Sequence, residues 1–221
     1  MAGLHRVKQG EHISSLAEKY GFADHRTIWN HPNNEELKQK RKNPDILMPG
    51  DSVFIPDRTI RIEMCPTDQR HKFKTHREPL KLRLVLERFY DRPIADRPCD
   101  LFINTTQFHL SSDGNGLLEQ KIPRSAENAL LVVKDTVSIN GDKVPVTFQV
   151  PVRIGDLNPL EEPSGQRARL ANLGYYRLNG EEIDPLEIRS AVEEFQCENG
   201  LTVDGVCGPM TQSRMKEVYG C

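Results

Sequence analysis

The first 58 residues carry a helical pattern of apolar positions between two short strand patterns. Four apolar residues repeat at spacings of three and four, which is typical of one face of an amphipathic helix, and Gly21 follows as a typical helix end. These residues are Ile13, Leu16, Ala17 and Tyr20. A second helix is predicted after Asp24, a favourable N-cap, and strands are predicted at residues 5–8 and 52–55. Residues 33–43 are interpreted as a charged extension of the second loop, in which residues 38–42 form a solvated loop or a helix end. The expected order is therefore strand, helix, helix, strand.

The next segment, residues 59–155, alternates apolar and polar side chains with a period of two, which predicts β-strands. Every second residue from Leu80 to Leu86 is a leucine, and Asn140-Gly141 is a strong signal for a two-residue hairpin turn. About six or seven short strands separated by turns predict a β-sandwich, which resembles immunoglobulin-like or carboxypeptidase-regulatory-like modules. The acidic turn at residues 113–116 lacks the further carboxylates of a calcium loop, so it is interpreted as a plain turn.

Three helix patterns make up the last 66 residues of the 221-residue chain. The first helix is expected to start at Ser164 and to end at Gly174. The second is expected to start at Asp184-Pro185, since Asp is a favourable N-cap and Pro a favourable first helical residue, and the third near Pro209. The sequence therefore predicts a multidomain α+β protein that ends in a three-helix domain. The predicted domains are residues 1–58, 59–155 and 156–221.

The charge balance argues against a nucleic-acid partner, and the lack of a long apolar run argues against a membrane span. The chain has 30 Lys and Arg against 32 Asp and Glu, whereas a protein that binds nucleic acid through its phosphates shows an excess of basic residues. Residues 156–221 contain 6 basic and 12 acidic residues, so we expect this segment to be repelled by anionic polymers. No run approaches the roughly 18 consecutive apolar residues of a membrane-spanning helix. We therefore predict no nucleic-acid partner and no membrane span.

No arrangement of residues predicts catalysis or metal binding. The 7 histidines show no H-E-x-x-H spacing, and no G-x-S-x-G segment occurs. Adjacent glutamates on a helix point in different directions, so they cannot flank one scissile bond. We therefore predict a protein that is not an enzyme, with no catalytic residue, no metal and no cofactor. The 5 cysteines show no C-x-x-C spacing, so free thiols are expected. The alternative is a disulfide between Cys197 and Cys207, which lie close in sequence.

Two segments of the N-terminal region resemble the two ends of a LysM domain. Residues 7–17, VKQGEHISSLA, followed by Tyr20-Gly21, resemble its opening, and residues 47–56, LMPGDSVFIP, resemble its close. The resemblance implies a βααβ fold that binds polymers of N-acetylglucosamine, peptidoglycan or chitin, in a groove between two loops. The glycan-binding residues that it implies are Gln9, Gly10, Glu11, His12 and Ile13 on one side and Ile46, Leu47, Met48 and Pro49 on the other.

The only tryptophan, Trp29, falls in the second predicted helix of this region. A tryptophan there is either part of the core or a platform on which a sugar ring stacks. Its position on an amphipathic helix favours the core.

The C-terminal region resembles a type-1 helical peptidoglycan-binding domain. The resemblance rests on LANLGY at residues 170–175, on AVEEFQ at 191–196 and on GLTVDGVCGPMT at 200–211. It implies three short helices and binding to peptidoglycan. The Asp204-Gly205 and Gly208-Pro209 pairs are expected to be mainly architectural, as a glycine turn and a helix start.

Together these features predict a non-catalytic peptidoglycan-binding protein with two binding modules joined by a spacer. The arrangement is similar to small LysM proteins associated with bacterial type VI secretion and other contractile injection systems, which implies a wall-docking adaptor with spike or effector proteins as partners. Because residues 1–12 show no apolar stretch, we expect synthesis in the cytoplasm without a signal peptide and delivery to the periplasm or cell wall by a non-Sec route. The alternative is a structural or protein-interaction subunit whose modules no longer bind glycan.

Overall fold

The computed structural model describes residues 2–59, 64–72, 79–88, 92–139, 141–176 and 184–221. These residues form two compact units. The first unit contains Met1–Asp45 and Pro49–Asp156, and the second contains Ile46–Met48 and Leu157–Cys221. The first unit therefore includes both the N-terminal helical segment and all the β-sheets.

The N-terminal segment of the first unit has the predicted strand, helix, helix, strand elements in order, with one further helix before the last strand. Its elements are β1 (Gly3–Arg6), α1 (Ile13–Lys19), α2 (Arg26–Trp29), α3 (Glu35–Arg41) and β2 (Ser52–Ile55), with a 3-10 turn at Pro32–Asn34. Strands β1 and β2 pair antiparallel, with Gly3 opposite Ile55. Ile13, Leu16 and Ala17 are fully buried and Trp29 is 7% exposed, so the predicted apolar face and the assignment of Trp29 to the core are both confirmed.

Two predictions for this segment are wrong. The first strand lies at Gly3–Arg6 rather than at residues 5–8, because the chain turns at Lys8, whose carbonyl oxygen accepts the N–H of Glu11. The predicted charged loop contains helix α3, which has acidic residues in its first turn and basic residues in its last. This charge order suits the helix dipole, and the buried Leu37 anchors the helix.

The rest of the first unit consists of antiparallel sheets. The strands are β3 (Leu80–Val85), β4 (Glu87–Arg88), β5 (Arg92–Pro93), β6 (Pro98–Ile103), β7 (Thr106–Ser111), β8 (Leu117–Ile122), β9 (Asn128–Ile139) and β10 (Asp142–Arg153). One sheet has four strands in the order β10-β9-β6-β7, and β3 pairs with β8 in a second sheet. Side chains from both sheets, including Leu101, Leu118 and Leu131, pack into one apolar core.

The strand predictions for this region agree with the observed elements. The leucines of β3 all face the core and the residues between them face solvent, as the period of two predicts. Strands β9 and β10 form the hairpin expected around Asn140-Gly141, since they pair from Ile139 opposite Asp142 to Asn128 opposite Arg153. Asn140 itself lies outside the described residues.

The second unit is a bundle of three helices, α4 (Pro163–Asn172), α5 (Pro185–Glu198) and α6 (Pro209–Tyr219). Its core contains Leu170, Phe195 and Met215, none of which is exposed to solvent. Helix α5 begins as predicted, because the Asp184 carboxylate accepts the Leu186 N–H at 2.8 Å. Helix α4 starts at Pro163 rather than at Ser164, with Glu162 as the N-cap, because proline is favourable at the first helical position.

Candidate functional site

A buried glutamine organises the loop between α5 and α6. Gln196 is 1% exposed, and its Nε2 donates to Asp204 Oδ1 at 2.8 Å and to Thr211 Oγ1 at 3.0 Å. The same nitrogen lies 3.0 Å from the Val206 carbonyl oxygen, so two hydrogens are shared among three acceptors. Its Oε1 accepts the main-chain N–H groups of Asp204 and Gly205, both at 3.0 Å. One side chain therefore fixes the main chain of residues 204–206.

The Asp204-Gly205 turn is shaped by its neighbours on α5. The hydrogen bond from Gln196 and that from the Val206 N–H lower the pKa of the Asp204 carboxyl below its usual value. Gly205 has a φ of +70°, and a Cβ there would lie 2.7 Å from Arg189 Cγ. The turn therefore requires glycine, and the geometry supports an architectural role for Asp204-Gly205.

The same loop presents apolar side chains to solvent. Val203 is 52% exposed, Val206 is 61% exposed and Met210, in the first turn of α6, is 76% exposed. The rigid turn below them fixes their positions without occupying their outer surface. Apolar side chains held in this way beside main-chain polar groups can contact the apolar faces of sugar rings and acetyl methyl groups.

The two cysteines nearest this loop are free thiols. Cys197 is exposed, Cys207 is half-buried, and neither forms the disulfide considered as an alternative. Burial raises the pKa of the Cys207 thiol to about 11, so the thiol is protonated at neutral pH and is a poor nucleophile.

The second unit also contains a buried arginine that the sequence pattern did not reveal. Arg169 is 1% exposed, and its Nη1 donates to the carbonyl oxygens of Asn158 and Gly165, both at 2.9 Å. Its guanidinium carbon lies 5.5 Å from the centre of the Tyr219 ring. Burial is the main cause that lowers the pKa of Arg169. The available signal was positional, since residue 169 lies one turn after Gly165 on the face that also carries Leu170.

The residues implied by the LysM resemblance differ in their exposure. Gln9 and Pro49 are exposed, Gly10, Glu11 and Met48 are half-buried, and His12, Ile13, Ile46 and Leu47 are buried. Residues 46–48 belong to the second unit and the other six to the first. The buried side chains could contribute to a glycan site only through their main-chain groups, and the N–H of Ile13 already donates to the Pro44 carbonyl oxygen at 3.0 Å. The assignment of this site stays a prediction.

Glu11 is held inside a polar network of the N-terminal segment. Its Oε2 accepts from His5 Nε2 at 2.6 Å and from the Lys8 N–H at 2.9 Å, and its Oε1 accepts from Lys19 Nζ at 2.8 Å. Burial raises the pKa of Glu11, but these hydrogen bonds and the charge of His5 outweigh it and lower the pKa to about 2. The carboxylate therefore stays ionised and fixes the loop at residues 8–11.

His12, Ser14 and Asp45 lie together without forming a catalytic triad. Ser14 Oγ donates to Asp45 Oδ1 at 3.2 Å, and His12 Nδ1 lies 3.5 Å from the same oxygen. Burial raises the pKa of Asp45, but the nearby His12 and the hydrogen bond from Ser14 lower it overall. A nucleophilic triad needs the histidine between serine and acid, whereas here the acid lies between the other two. The group therefore suits a structural role.

Among the described residues, no three His, Cys, Asp or Glu side chains are grouped so that they could hold a metal ion. No helix in the described part of the chain has the length and apolar character needed to cross a membrane.

Comparison with known proteins assigns part of the second unit. Residues 167–215 match the family model described as "Putative peptidoglycan binding domain". This range runs from α4 through the Gln196-centred loop into α6, and it supports the resemblance of the C-terminal region to a peptidoglycan-binding domain. No curated protein and no solved structure matches the chain. Over residues 167–215, the C-terminal helical unit is thus similar to a peptidoglycan-binding domain.

Proposed function

We propose that this chain is a non-catalytic peptidoglycan-binding protein whose C-terminal helical unit is its main binding module. The observation that carries the proposal is the family match of residues 167–215 over a folded three-helix core. The Gln196 network adds physical support, because it holds residues 204–206 rigid. A preorganised loop loses little conformational entropy when it binds a ligand.

The contact surface that we propose on this module consists of Val203, Val206 and Met210. These side chains are 52–76% exposed, so a ligand can reach them without a change in fold. Sugar rings and acetyl groups bury apolar surface on such side chains, while main-chain groups of the loop supply polar partners. Thiol, metal and acid–base chemistry have no part in this proposal.

We further propose that the N-terminal segment is a second, weaker module for N-acetylglucosamine polymers. The support is the resemblance of residues 7–17 and 47–56 to the two ends of a LysM domain, with residues 9–13 and 46–49 as the contact region. Two weak modules on one chain bind a polymer more tightly than either does alone when both can reach it. Together they would suit a wall-docking adaptor of a secretion or injection machine, with spike or effector proteins as its other partners.

The second candidate function is a protein-interaction subunit in which the N-terminal segment no longer binds glycan. It is favoured by one observation, the burial of His12, Ile13, Ile46 and Leu47 among the residues assigned to that site. Titration of the full chain with soluble N-acetylglucosamine oligomers separates the two candidates, because only the first predicts amide shifts at residues 9–13.

The proposed function is tested by co-sedimentation of the full chain with purified sacculi. We expect retention that soluble peptidoglycan fragments compete away, without release of reducing ends or free amines from the sacculi. Met210→Ser should weaken retention, whereas Val218→Ser should not. Both replace an exposed apolar residue of α6, and Val218 lies about 12 Å further along the helix at a rise of about 1.5 Å per residue. Absence of retention, or equal loss in both variants, would contradict the proposed surface.

A further inference from the structure

The loop that carries Gln9 and Gly10 is in direct contact with residues 155–156, which follow β10. Gly155 has a φ of +81°, and a Cβ there would lie 2.5 Å from the Gly10 carbonyl oxygen and 3.1 Å from His12 Cδ2. A Cβ on Gly10 would in turn lie 3.3 Å from Asp156 Oδ1. The main chain at Gly155 therefore approaches that of Gly10 as closely as glycine allows, and on the other side Gly10 faces the Asp156 side chain.

A hydrogen bond fixes this contact. Gln9 Nε2 donates to the Asp156 carbonyl oxygen at 2.9 Å, although the two residues are 147 positions apart. Residues 155–156 are themselves held in place, because Ile154 is 7% exposed in the β-sheet core and its N–H donates to the Glu127 carbonyl oxygen at 2.8 Å. Gln9 and Gly10 therefore meet an anchored segment rather than a free linker.

A second contact holds the N-terminal segment to the same sheets. Arg124, which follows β8, is 7% exposed, and its Nη1 donates to the Ala23 carbonyl oxygen at 3.0 Å. Ala23 lies between α1 and α2, and Gln9 lies before α1. The N-terminal segment is therefore attached at two separate points, and loosening of either attachment favours release of the loop at residues 8–12.

From this geometry we infer that residues 154–156 mask the N-terminal glycan loop, and that N-acetylglucosamine oligomers and residues 154–156 compete for it. The inference rests on the second-module part of the proposed function. A sugar acetamide needs access to main-chain groups of the loop at residues 9–12, and the Gly10 carbonyl oxygen faces Gly155 instead. If a ligand binds only the open loop, its apparent affinity is reduced in proportion to the fraction of molecules in which that loop is open.

The test opens the mask with a single methyl group in the full chain. Gly155→Ala places a Cβ against the Gly10 carbonyl oxygen at a positive φ. Gly174→Ala is the matched control, since Gly174 has a φ of +92° and no atom within 4 Å of its Cβ position. Two quantities are measured on each protein: amide hydrogen exchange of residues 8–12, and the affinity for the N-acetylglucosamine tetramer by calorimetric titration.

We expect Gly155→Ala to speed exchange of residues 8–12 and to tighten tetramer binding, each by about tenfold or more, as a shift toward the open state predicts. Gly174→Ala should change neither. Because Gly155→Ala could misfold, Arg124→Met is the second variant. It removes the donor to Ala23 while keeping an unbranched side chain, and it should shift both quantities in the same direction.

Three results would overturn the inference: unchanged exchange in both variants, faster exchange with wild-type tetramer affinity, or faster exchange with no tetramer binding at all. Co-sedimentation of the wild-type chain with sacculi distinguishes failure of the mask inference from failure of the proposed C-terminal binding module. If sacculi are retained while no variant binds tetramer, the mask and the second module are wrong and the C-terminal module stands. If sacculi are not retained, the main proposal is wrong.

Discussion

Gln196 holds Asp204 from two sides. Its Nε2 donates to the Asp204 carboxylate at 2.8 Å, and its Oε1 accepts the Asp204 main-chain N–H at 3.0 Å. Only a side chain that is donor and acceptor at once can do both, so neither glutamate nor leucine can replace it. The folded α5–α6 loop therefore depends on one buried amide.

Replacement of this amide should destabilise the second unit. Gln196→Leu leaves the N–H groups of Asp204 and Gly205 without their acceptor and removes the donor to Thr211 Oγ1, and each unsatisfied buried group costs about 1–3 kcal/mol. We expect a loss of about 3 kcal/mol or more in the free energy of unfolding. Urea titration monitored by helical circular dichroism, together with amide hydrogen exchange of α5, measures this loss.

The control for this experiment is another glutamine of the same unit. Gln212→Leu removes a single bond, to the Cys207 carbonyl oxygen at 2.9 Å, and should cost about 1 kcal/mol. Trp29 fluorescence reports the first unit and should be unaffected in both variants. Equal losses in the two variants would show that the network is not cooperative.

Glu11 makes the stability of the first unit depend on pH. The folded-state pKa is lowered from 4.5 to about 2, so the ionised carboxylate stabilises the fold fully above about pH 4.5, and this contribution is lost as the pH falls toward 2. Glu11→Gln should therefore be less stable than the wild type at pH 7, and the difference should disappear near pH 2.

Urea unfolding followed by Trp29 fluorescence at pH 7, 4 and 2 measures this difference. Glu18→Gln is the control, since Glu18 is an exposed glutamate of α1, the helix that follows Glu11, and should change stability little at any pH. A Glu11→Gln deficit that persists at pH 2 would show that shape and packing, rather than charge, account for the role of Glu11.

Local features of this chain could be predicted from its sequence, and contacts between distant residues could not. The Asp184-Pro185 helix start and the hairpin of β9 and β10 depend on neighbouring residues, and both are present. Helix α3 was missed because its residues 35–41 are nearly all polar and only Leu37 is buried. The contact between Gln9 and Asp156 joins positions 147 apart, so no short pattern indicates it. The exposure of the predicted glycan residues follows from such distant contacts.

The crowding around Gly205 can be separated from its backbone conformation. Gly205→Ala adds a Cβ 2.7 Å from Arg189 Cγ and 2.8 Å from Glu193 Oε1 at a φ of +70°. Gly200→Ala has a similar φ of +65° and no atom within 4 Å, so it should cost only the left-handed strain of about 1–2 kcal/mol.

We expect Gly205→Ala to cost more than Gly200→Ala and to weaken retention on sacculi, because the exposed Val203 and Val206 flank the displaced turn. Urea unfolding of the second unit and co-sedimentation are the two measurements. If the two variants lose the same stability, the flexible Arg189 and Glu193 side chains move aside without cost. Retention of sacculi by Gly205→Ala at the wild-type level would argue against this loop as the contact surface.

The acidic C-terminal unit should give binding to sacculi an unusual salt dependence. Residues 156–221 contain 6 basic and 12 acidic residues, and peptide stems of peptidoglycan carry carboxylates, so charge opposes the approach that apolar contacts favour. Added salt screens this repulsion within about 10 Å at 0.1 M. Retention of the full chain should therefore stay constant or increase modestly as salt rises, whereas binding through basic residues would decrease.

Glu194→Lys should flatten the salt response. Glu18→Lys, the same charge change at an exposed helical position of the first unit, should not flatten it. If retention instead collapses with salt, attraction to anionic polymers dominates, and residues 59–155, with 15 basic against 12 acidic residues, would be the contact surface in place of the α5–α6 loop.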